Sequence, residues 1–228
     1  MTTSHFSHDV SSNVTSGGHY RDLPLELAEI NITFWLKIKH ILLTFRQNQA
    51  ATMEQVEYLV KLMAGVQADL QDTPAYIFAL QYCAGVARGE SAWTKRLLFQ
   101  DDDMFMELVT YFADYPTPIH DYPGMAMVNI PLSGRMCIEY YSAGHAALEA
   151  SYPIAKLRRT ETHTYGAWEA SMCFPWQKNI QEIRSISDRS IVLSAGLKTH
   201  HGQENSWYLP ISPQNTANFF AQRLKRNE

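Results

Sequence analysis

The chain has 228 residues, of which 46% are hydrophobic and 18% are charged, and its formal net charge is −4. These values predict a folded globular protein with enough length for a substantial core, and they exclude a largely disordered chain. The net charge, and the lack of any long basic block, argue against broad electrostatic binding to nucleic acid or to an anionic membrane.

The N-terminal residues and the cysteines predict a cytoplasmic protein. Residues 1–20 are polar, rich in Ser, Thr and His, and contain no apolar stretch of the secretory kind, so we expect a disordered arm. Cys83, Cys137 and Cys173 are widely spaced and form no Cys-x-x-Cys pair, which suits a reducing compartment and provides no zinc framework.

Residues 21–90 have a helical pattern. Pro24 suits a first helical position, residues 52–55 have the form of a capping box, and Thr73 followed by Pro74 is a cap for a third helix. The apolar stretch 30–45 is interrupted by charged residues, so we expect a buried helix and no membrane span. Three helices are therefore predicted, and they could serve as a surface for a protein partner or a homo-oligomer. Apolar residues recur at spacings of three and four at Leu27, Ile30, Phe34, Ile38, Ile41, Leu42 and Phe45.

After residue 91 the pattern changes to short strands separated by turns, which indicates a sandwich or barrel. We expect this barrel to span residues 91–215, followed by a tail at 216–228. Residues 133–135 predict a hairpin turn, and residues 142–165 could form a short helix or a long loop acting as a lid. The predicted strands are 93–99, 104–112, 125–132, 136–141, 167–174, 180–186, 191–197 and 206–211.

Several of these segments, taken in order, resemble a known family. Residues 93–99 and 117–124, the turn glycine Gly134, and residues 179–183 and 187–194 are similar to consecutive pieces of bacterial cysteine dioxygenases and related thiol dioxygenases. The resemblance covers roughly 93–198, about half of the chain, and its order and spacing agree throughout. It implies a mostly β fold, namely a cupin double-sheet jelly-roll barrel, here with an N-terminal α-helical segment.

The resemblance also implies a site, and this chain departs from it. The family's Pro-x-His-Asp-His motif is matched by residues 118–122, and its three iron-binding histidines fall on His120, Tyr122 and Gln181. The family's carboxylate-binding arginine corresponds to Lys95, with Arg96 beside it on the opposite face of the predicted strand. The family also has a Ser-x-His-x-Tyr relay. Its three positions fall on Ser194, Gly196 and Lys198, so this chain keeps only the serine.

These replacements change the metal chemistry that we expect. Three neutral imidazoles suit ferrous iron, whereas a phenol with a pKa of about 10 must lose its proton to bind a metal at neutral pH. The carboxamide of Gln181 offers only a weak neutral oxygen. We therefore expect no standard three-histidine iron site, and the cofactor is either none or iron.

Three functions remain open. The favoured one is a repurposed small-molecule enzyme that binds a small carboxylate or amino-acid-like ligand through Lys95, Arg96 and Ser194. In this function His120, Tyr122 or Glu182 would act as acid or base.

The second function is an altered, iron-dependent oxygenase that uses His120 and Tyr122, helped by Gln181 or by reserve histidines at 163, 200 and 201. The third is a non-catalytic binding module. A plain structural explanation also exists for each residue: His120 as a hydrogen-bonded histidine, Tyr122 as a core aromatic and Lys95 as a surface lysine.

Overall fold

The computed structural model describes residues 40, 81, 85, 93–102, 104–113, 115–144, 154–175, 177–198, 205–212, 214 and 217–225. Three of these residues, at 40, 81 and 85, are helical, and the rest of the predicted helical segment and the arm at 1–20 lie outside the described residues. Within the described ranges no helix is long and apolar enough to cross a membrane.

The described part of the chain contains eleven strands, so the protein is mostly β there, as predicted. In chain order they are β1 (Trp93–Gln100), β2 (Met104–Phe112), β3 (Ile119–Asp121), β4 (Met125–Ser133), β5 (Met136–Ala143), β6 (Ile154–Tyr165), β7 (Ser171–Cys173), β8 (Ile180–Ser185), β9 (Arg189–Lys198), β10 (Ser206–Pro210) and β11 (Asn218–Lys225).

The order of the strands identifies the architecture. One sheet has five strands in the order β1-β2-β9-β4-β7, and the other six close on themselves in the order β10-β11-β6-β5-β8-β3. Strands β2 to β9 are therefore divided between two antiparallel sheets, in the orders β2-β9-β4-β7 and β3-β8-β5-β6. This pairing is that of a double-sheet jelly roll, so the predicted fold class is confirmed for this part of the chain.

Strands β10 and β11 add a feature to the jelly roll. They form an antiparallel hairpin in which β11 pairs with β6 and β10 pairs with β3, so the hairpin joins the two edges of the second sheet. We call the resulting closed set of strands β3, β8, β5, β6, β11 and β10 the six-stranded ring. Closure satisfies the backbone groups of both edge strands, which removes two edges that could pair with another chain.

Alternating side chains on the ring strands supply two separate cores. The first lies between the five-stranded sheet and the ring. The second lies inside the ring, on the opposite face of β3, β5 and β8. The first core contains Val109, Tyr111, Met136, Ile138, Tyr140, Ile183 and Val192. The second contains Ile119, Tyr141, Ala155, Leu157, Ile180, Tyr208, Phe219 and Ala221.

Three local predictions need correction. Residues 133–135 do not close a hairpin, because β4 belongs to the five-stranded sheet and β5 to the ring. Residues 154–165 are strand β6 and form neither a helix nor a lid, while 145–153 lie outside the described residues. The barrel does not end at residue 215, because β11 pairs with both β6 and β10.

The physical reasons for these corrections are specific. A tight turn with Gly134 at φ 76° serves a hairpin or a crossing between sheets equally well, and only the pairing partners decide. Most of β6 is exposed, so its polar sequence resembles a loop although its backbone is paired on both sides. In β11, Phe219 and Ala221 alternate into the ring core, a period of two that marks a strand.

A buried carboxylate fastens the β10–β11 hairpin to β3. Asp121, 3% exposed, accepts hydrogen bonds from the Ser206 backbone N–H at 2.6 Å and from the Tyr208 hydroxyl at 2.8 Å. The Arg223 guanidinium lies 3.7 Å from its Oδ2. Burial raises the pKa of Asp121, although the bonds to Tyr208 and Ser206 and the charge of Arg223 oppose that shift.

We predict that Asp121→Ala destabilises the protein, because it leaves the buried Ser206 N–H and Tyr208 hydroxyl unsatisfied. The free energy of unfolding in urea should fall by about 1–3 kcal/mol for each group that loses its partner. Asp121→Asn is the matched control, since a carboxamide can accept from Ser206 and donate to Tyr208. Equal losses in both variants would contradict the role of Asp121 as a fastening residue.

The same site predicts a pH dependence. Because the pKa of Asp121 is raised above its ordinary 3.8, stability contributed by the protonated carboxyl is fully present below that value. This contribution to the free energy of unfolding is lost as the pH rises through the raised pKa of Asp121. Asp121→Asn cannot ionise, so its free energy of unfolding relative to the wild type should increase between about pH 4 and pH 7. Unfolding curves across this range measure the difference, and a constant difference would be the contrary result.

Candidate functional site

A cleft opens beside β1, β3 and β10, with a cavity volume of about 30 Å³. Three residues that the sequence singled out, Lys95, His120 and Tyr122, line it together. Indole, phenol, hydroxyl and amide side chains complete the wall, so the cleft combines flat apolar surfaces with hydrogen-bonding groups. The full lining consists of Trp93, Lys95, Tyr111, Thr117, His120, Asp121, Tyr122, Asn205 and Trp207.

The position of His120 follows from strand pairing. It pairs with Gln181 of β8 on one side and with Trp207 of β10 on the other, and residues directly opposite each other point to the same face. Its Nδ1 lies 2.8 Å from the carbonyl oxygen of Pro118. A carbonyl only accepts, so Nδ1 carries the proton, and in the neutral ring Nε2 carries the lone pair. This tautomer suits a general base and also a metal ligand.

Two tyrosines bring phenol groups to the cleft. The ring of Tyr122 packs edge-on against the His120 ring with centroids 5.0 Å apart. Burial raises the pKa of Tyr111 well above its ordinary value, and interactions with Tyr122 and Glu107 raise it further. Tyr111 therefore keeps its proton at neutral pH and can donate a hydrogen bond. Sequence analysis missed Tyr111, although its period-two spacing from Val109 marks it as facing the same side.

Lys95 is the cation at the cleft. It pairs with Val109, a residue of the inter-sheet core, so it faces the inner side of β1. Its Nζ lies 2.7 Å from Oε1 of Glu107, and the two side chains are 37% and 12% exposed. A partly exposed pair of this kind contributes only about 0–1 kcal/mol, so Lys95 can turn to another anion at little cost.

Two tryptophans form the apolar wall. The indoles of Trp93 and Trp207 stack with centroids 6.0 Å apart and an interplanar angle of 28°. Trp207 also lies 6.4 Å from the His120 ring, in a tilted arrangement. Trp207 comes from the hairpin that Asp121 holds on β3, so the fastening of that hairpin positions part of the cleft. Sequence analysis did not single out either indole, because they are 114 positions apart and meet only through the ring closure.

Gln181 lies on the same face as His120 but deeper. It is 0% exposed, and neither its Oε1 nor its Nε2 has a hydrogen-bond partner among the described residues. A buried carboxamide without hydrogen bonds lowers the free energy of unfolding by on the order of 1–3 kcal/mol. Gln181 is therefore an exception among buried polar side chains, most of which are paired.

The structure separates the other predicted site residues from the cleft. Arg96 pairs with Leu108 and faces the opposite side of β1 from Lys95. Ser194 is buried and donates a hydrogen bond to Oδ1 of Asn129 at 2.7 Å. Glu182 follows Gln181 along β8 and therefore faces the other side of that strand. None of these three residues lines the cleft.

Glu182 belongs instead to a cluster on the ring side of β5 and β8. The Tyr141 hydroxyl lies 3.1 Å from Glu182 and 2.9 Å from Glu139. Glu139 and Glu182 lie directly opposite each other on β5 and β8. Burial raises the pKa of Glu182, and the like charge of Glu139 adds to the shift. Arg159, 3.2 Å from Glu139, and Arg184, 3.8 Å away, offset part of this repulsion.

Among the described residues, His163 is the one reserve histidine, and it belongs to no group that could hold a metal ion. His163 lies on β6 and pairs with Ile138 of β5, and β6 is three strands away from β3 in the ring order. Its Nε2 lies 2.8 Å from Glu161. The histidines at 200 and 201 lie outside the described residues.

The donor set around His120 does not fit the ferrous site that the family resemblance implies. It consists of one imidazole, the phenol of Tyr122 and the carboxamide of Gln181. The carboxyl oxygens of Asp121 already accept hydrogen bonds from Ser206 and Tyr208. No group of three His, Cys, Asp or Glu side chains among the described residues could hold a metal ion. Imidazole ligands favour iron, and two of the three are replaced here by poorer donors.

This comparison predicts a gain of function. The double variant Tyr122→His with Gln181→His restores three imidazoles at the family positions. Since loss of a single supporting partner costs about 10–100-fold in metal affinity, we expect the double variant to bind Co²⁺ at least about 100-fold more tightly than the wild type. Isothermal titration calorimetry and the visible spectrum of Co²⁺ measure this. Adding His120→Ala should abolish the gain; equal affinity in wild type and double variant would contradict the assignment of these positions.

Comparison with known proteins found only weak structural likenesses. No family model and no curated protein matches the chain. Solved structures similar to it include a cupin superfamily protein from Desulfitobacterium hafniense, with 12% identity over 51% of this chain and 86% of the other, and a TM-score of 0.36. The Cnp3 cupin domain of Schizosaccharomyces pombe shows 11% identity over 50% and 71%, with a TM-score of 0.36.

A cupin-2 domain protein from Shewanella frigidimarina is similar at 12% identity over 53% of this chain and 92% of the other, also with a TM-score of 0.36. Likenesses this weak support no conclusion about ligand or activity, and none of these names points to cysteine dioxygenases. On its strand order, the described part of the chain has the double-sheet jelly roll that cupins share.

Proposed function

We propose that the cleft binds a small carboxylate or amino-acid-like ligand, and that the protein is a small-molecule enzyme that uses acid–base chemistry without a three-histidine iron site. The observation that supports this most is the meeting of Lys95, His120 and Tyr122 in one cleft with two indoles. Small-molecule sites commonly combine apolar walls with a few convergent polar groups.

The pairing of Lys95 with Glu107 favours an amino-acid-like ligand over a simple anion. A ligand carboxylate that binds Lys95 leaves Glu107 without its cation, at 2.7 Å in the present structure. A zwitterion supplies a carboxylate for the lysine and an ammonium group for the glutamate, so both charges remain compensated. Trp93 and Trp207 then contact the apolar part of the ligand.

Acid–base roles follow from the hydrogen bonds. The His120 ring has its Nδ1 proton committed to Pro118, so the neutral ring can accept a proton at Nε2. Tyr111 keeps its proton at neutral pH and can donate a hydrogen bond to an oxygen that gains negative charge. Glu182 has no part in this proposal because it faces the ring core side of β8.

One observation favours the alternative of a metal-dependent oxygenase. Histidine ligands of metals usually donate their second ring N–H to a carbonyl or carboxylate, as His120 does. The phenol and carboxamide at the other two positions are the reason that we place this alternative second.

We predict that Lys95→Met weakens the binding of carboxylate ligands. A hydrogen bond to a charged group contributes about 1.5–3 kcal/mol, so affinity should fall roughly 10–100-fold. The measurement is a calorimetric titration with L-amino acids and with dicarboxylates, which also reports whether a zwitterion binds more tightly. Lys156→Met is the control, since Lys156 is exposed on β6 and lies outside the cleft.

Two further variants complete this test. Tyr122→Phe and His120→Ala should also weaken binding or abolish turnover of the bound compound. If Lys95→Met, Tyr122→Phe and His120→Ala all leave binding unchanged, the cleft is not the ligand site. The non-catalytic binding module would then be the better description of this protein.

A further inference from the structure

A layer of buried polar side chains crosses the interior between the two sheets. Gln181 pairs with Tyr140 across β8 and β5, and the Tyr140 hydroxyl lies 3.0 Å from the Ser171 hydroxyl. Ser171 pairs with Asn129 across β7 and β4, and Asn129 accepts the hydrogen bond from Ser194. We call these five residues, Gln181, Tyr140, Ser171, Asn129 and Ser194, the polar layer. All five are buried, with at most 3% exposed.

Within the part of the chain that the structure describes, three atoms of the polar layer lack a hydrogen-bond partner: Oε1 and Nε2 of Gln181 and Nδ2 of Asn129. The other hydrogen-bonding side chains of the layer do have partners. Because more than nine in ten buried polar groups in proteins are paired, three such atoms in one layer indicate an unfilled requirement for hydrogen bonds. An apolar packing role would not call for carboxamides here.

The layer lies directly behind the cleft. Gln181 is the strand neighbour of His120, and opposite residues on antiparallel strands have Cβ atoms about 4.5–5.5 Å apart on the same face. His120 lines the cleft, so the carboxamide of Gln181 is one residue deeper along the same face. None of the five side chains lines the cleft itself, so a ligand group that reaches the layer has to pass His120 and meets the Gln181 carboxamide behind it.

The hydrogen-bonding properties of these three atoms indicate which ligand group they would bind. They offer donors from two amide nitrogens and one acceptor oxygen, and the five side chains of the layer are all uncharged. A primary carboxamide supplies both donors and an acceptor, and an alkyl group supplies neither. A carboxylate supplies only acceptors and brings a charge among five uncharged side chains, which is unfavourable. The Lys178 ammonium group lies over the Tyr140 ring, 5.1 Å from its centroid, but it already pairs with Glu161 at 2.7 Å.

Resting on the function proposed above, we infer that the polar layer is the specificity subsite of the cleft and takes an uncharged carboxamide end of the ligand. The substrate class is then an amino acid, or a related carboxylate, whose far end is a primary amide. In this arrangement Gln181 occupies a metal-ligand position of the resembled family and acts as a hydrogen-bonding group for the ligand.

The test compares three probes of similar length by calorimetric titration: L-glutamine, L-glutamate and L-norleucine. The wild type should bind L-glutamine at least about 10-fold more tightly than the other two, because a site built for hydrogen bonds rejects analogues that leave its groups unpaired. Gln181→Met, which is nearly isosteric and apolar, should abolish this preference. L-Norleucine should bind the variant as tightly as it binds the wild type, or more tightly.

Control variants distinguish loss of the subsite from loss of folding. Gln222→Met changes an exposed glutamine on β11 and should leave the preference intact. Gln181→Asn keeps the carboxamide and should retain part of the preference, so a loss in Gln181→Met with rescue in Gln181→Asn is not a loss of folding. Circular dichroism of each variant confirms the fold.

The outcomes separate the two proposals. If the wild type binds all three probes equally and Lys95→Met weakens all of them, the subsite is wrong while the proposed function stands. A preference for L-glutamine that persists in Gln181→Met also overturns the subsite and leaves the layer as a site for ordered water only. If no probe binds the wild type at millimolar concentration, both proposals are wrong.

Discussion

The structure depends on strands β3 and β8, whose two faces serve different parts of the molecule. Alternation along β3 sends His120 towards the cleft and Asp121 into the ring core, and alternation along β8 sends Gln181 inwards and Glu182 to the ring side. Because the two strands pair with His120 opposite Gln181, a shift of one residue would exchange the two sets completely. The register of this one short pair therefore decides which side chains can meet a ligand.

Closure of the ring is the second condition for the site. The β10–β11 hairpin brings Trp207 against His120 and Trp93, and Asp121 holds that hairpin through Ser206 and Tyr208. Asp121, the residue next to His120, thus supports the cleft wall from the opposite face of β3. The geometry of the cleft and the stability of the second core are linked by this carboxylate.

Sequence reasoning located the fold and part of the site. It succeeded for β1 and β2, where the turn is stabilised locally by Asp101, whose side chain accepts from the Met104 N–H at 2.7 Å. It failed where pairing is not local, because the polar strand β6 and the C-terminal strand β11 are defined by neighbours far away in the chain. In the same way it grouped Glu182 with His120, although the two face different cores.

Residue types and spacing alone predicted a sandwich or barrel after residue 91. The jelly roll, the ligand positions His120, Tyr122 and Gln181, and the cation Lys95 were predicted from the family resemblance. Only the tertiary structure decided that Tyr111, Trp93 and Trp207 complete the cleft, and that Asn129 and Gln181 share one buried layer. The physical reason is that the alternation of side chains along one strand follows from its local sequence. The strand that lies opposite is chosen by the packing of the whole barrel.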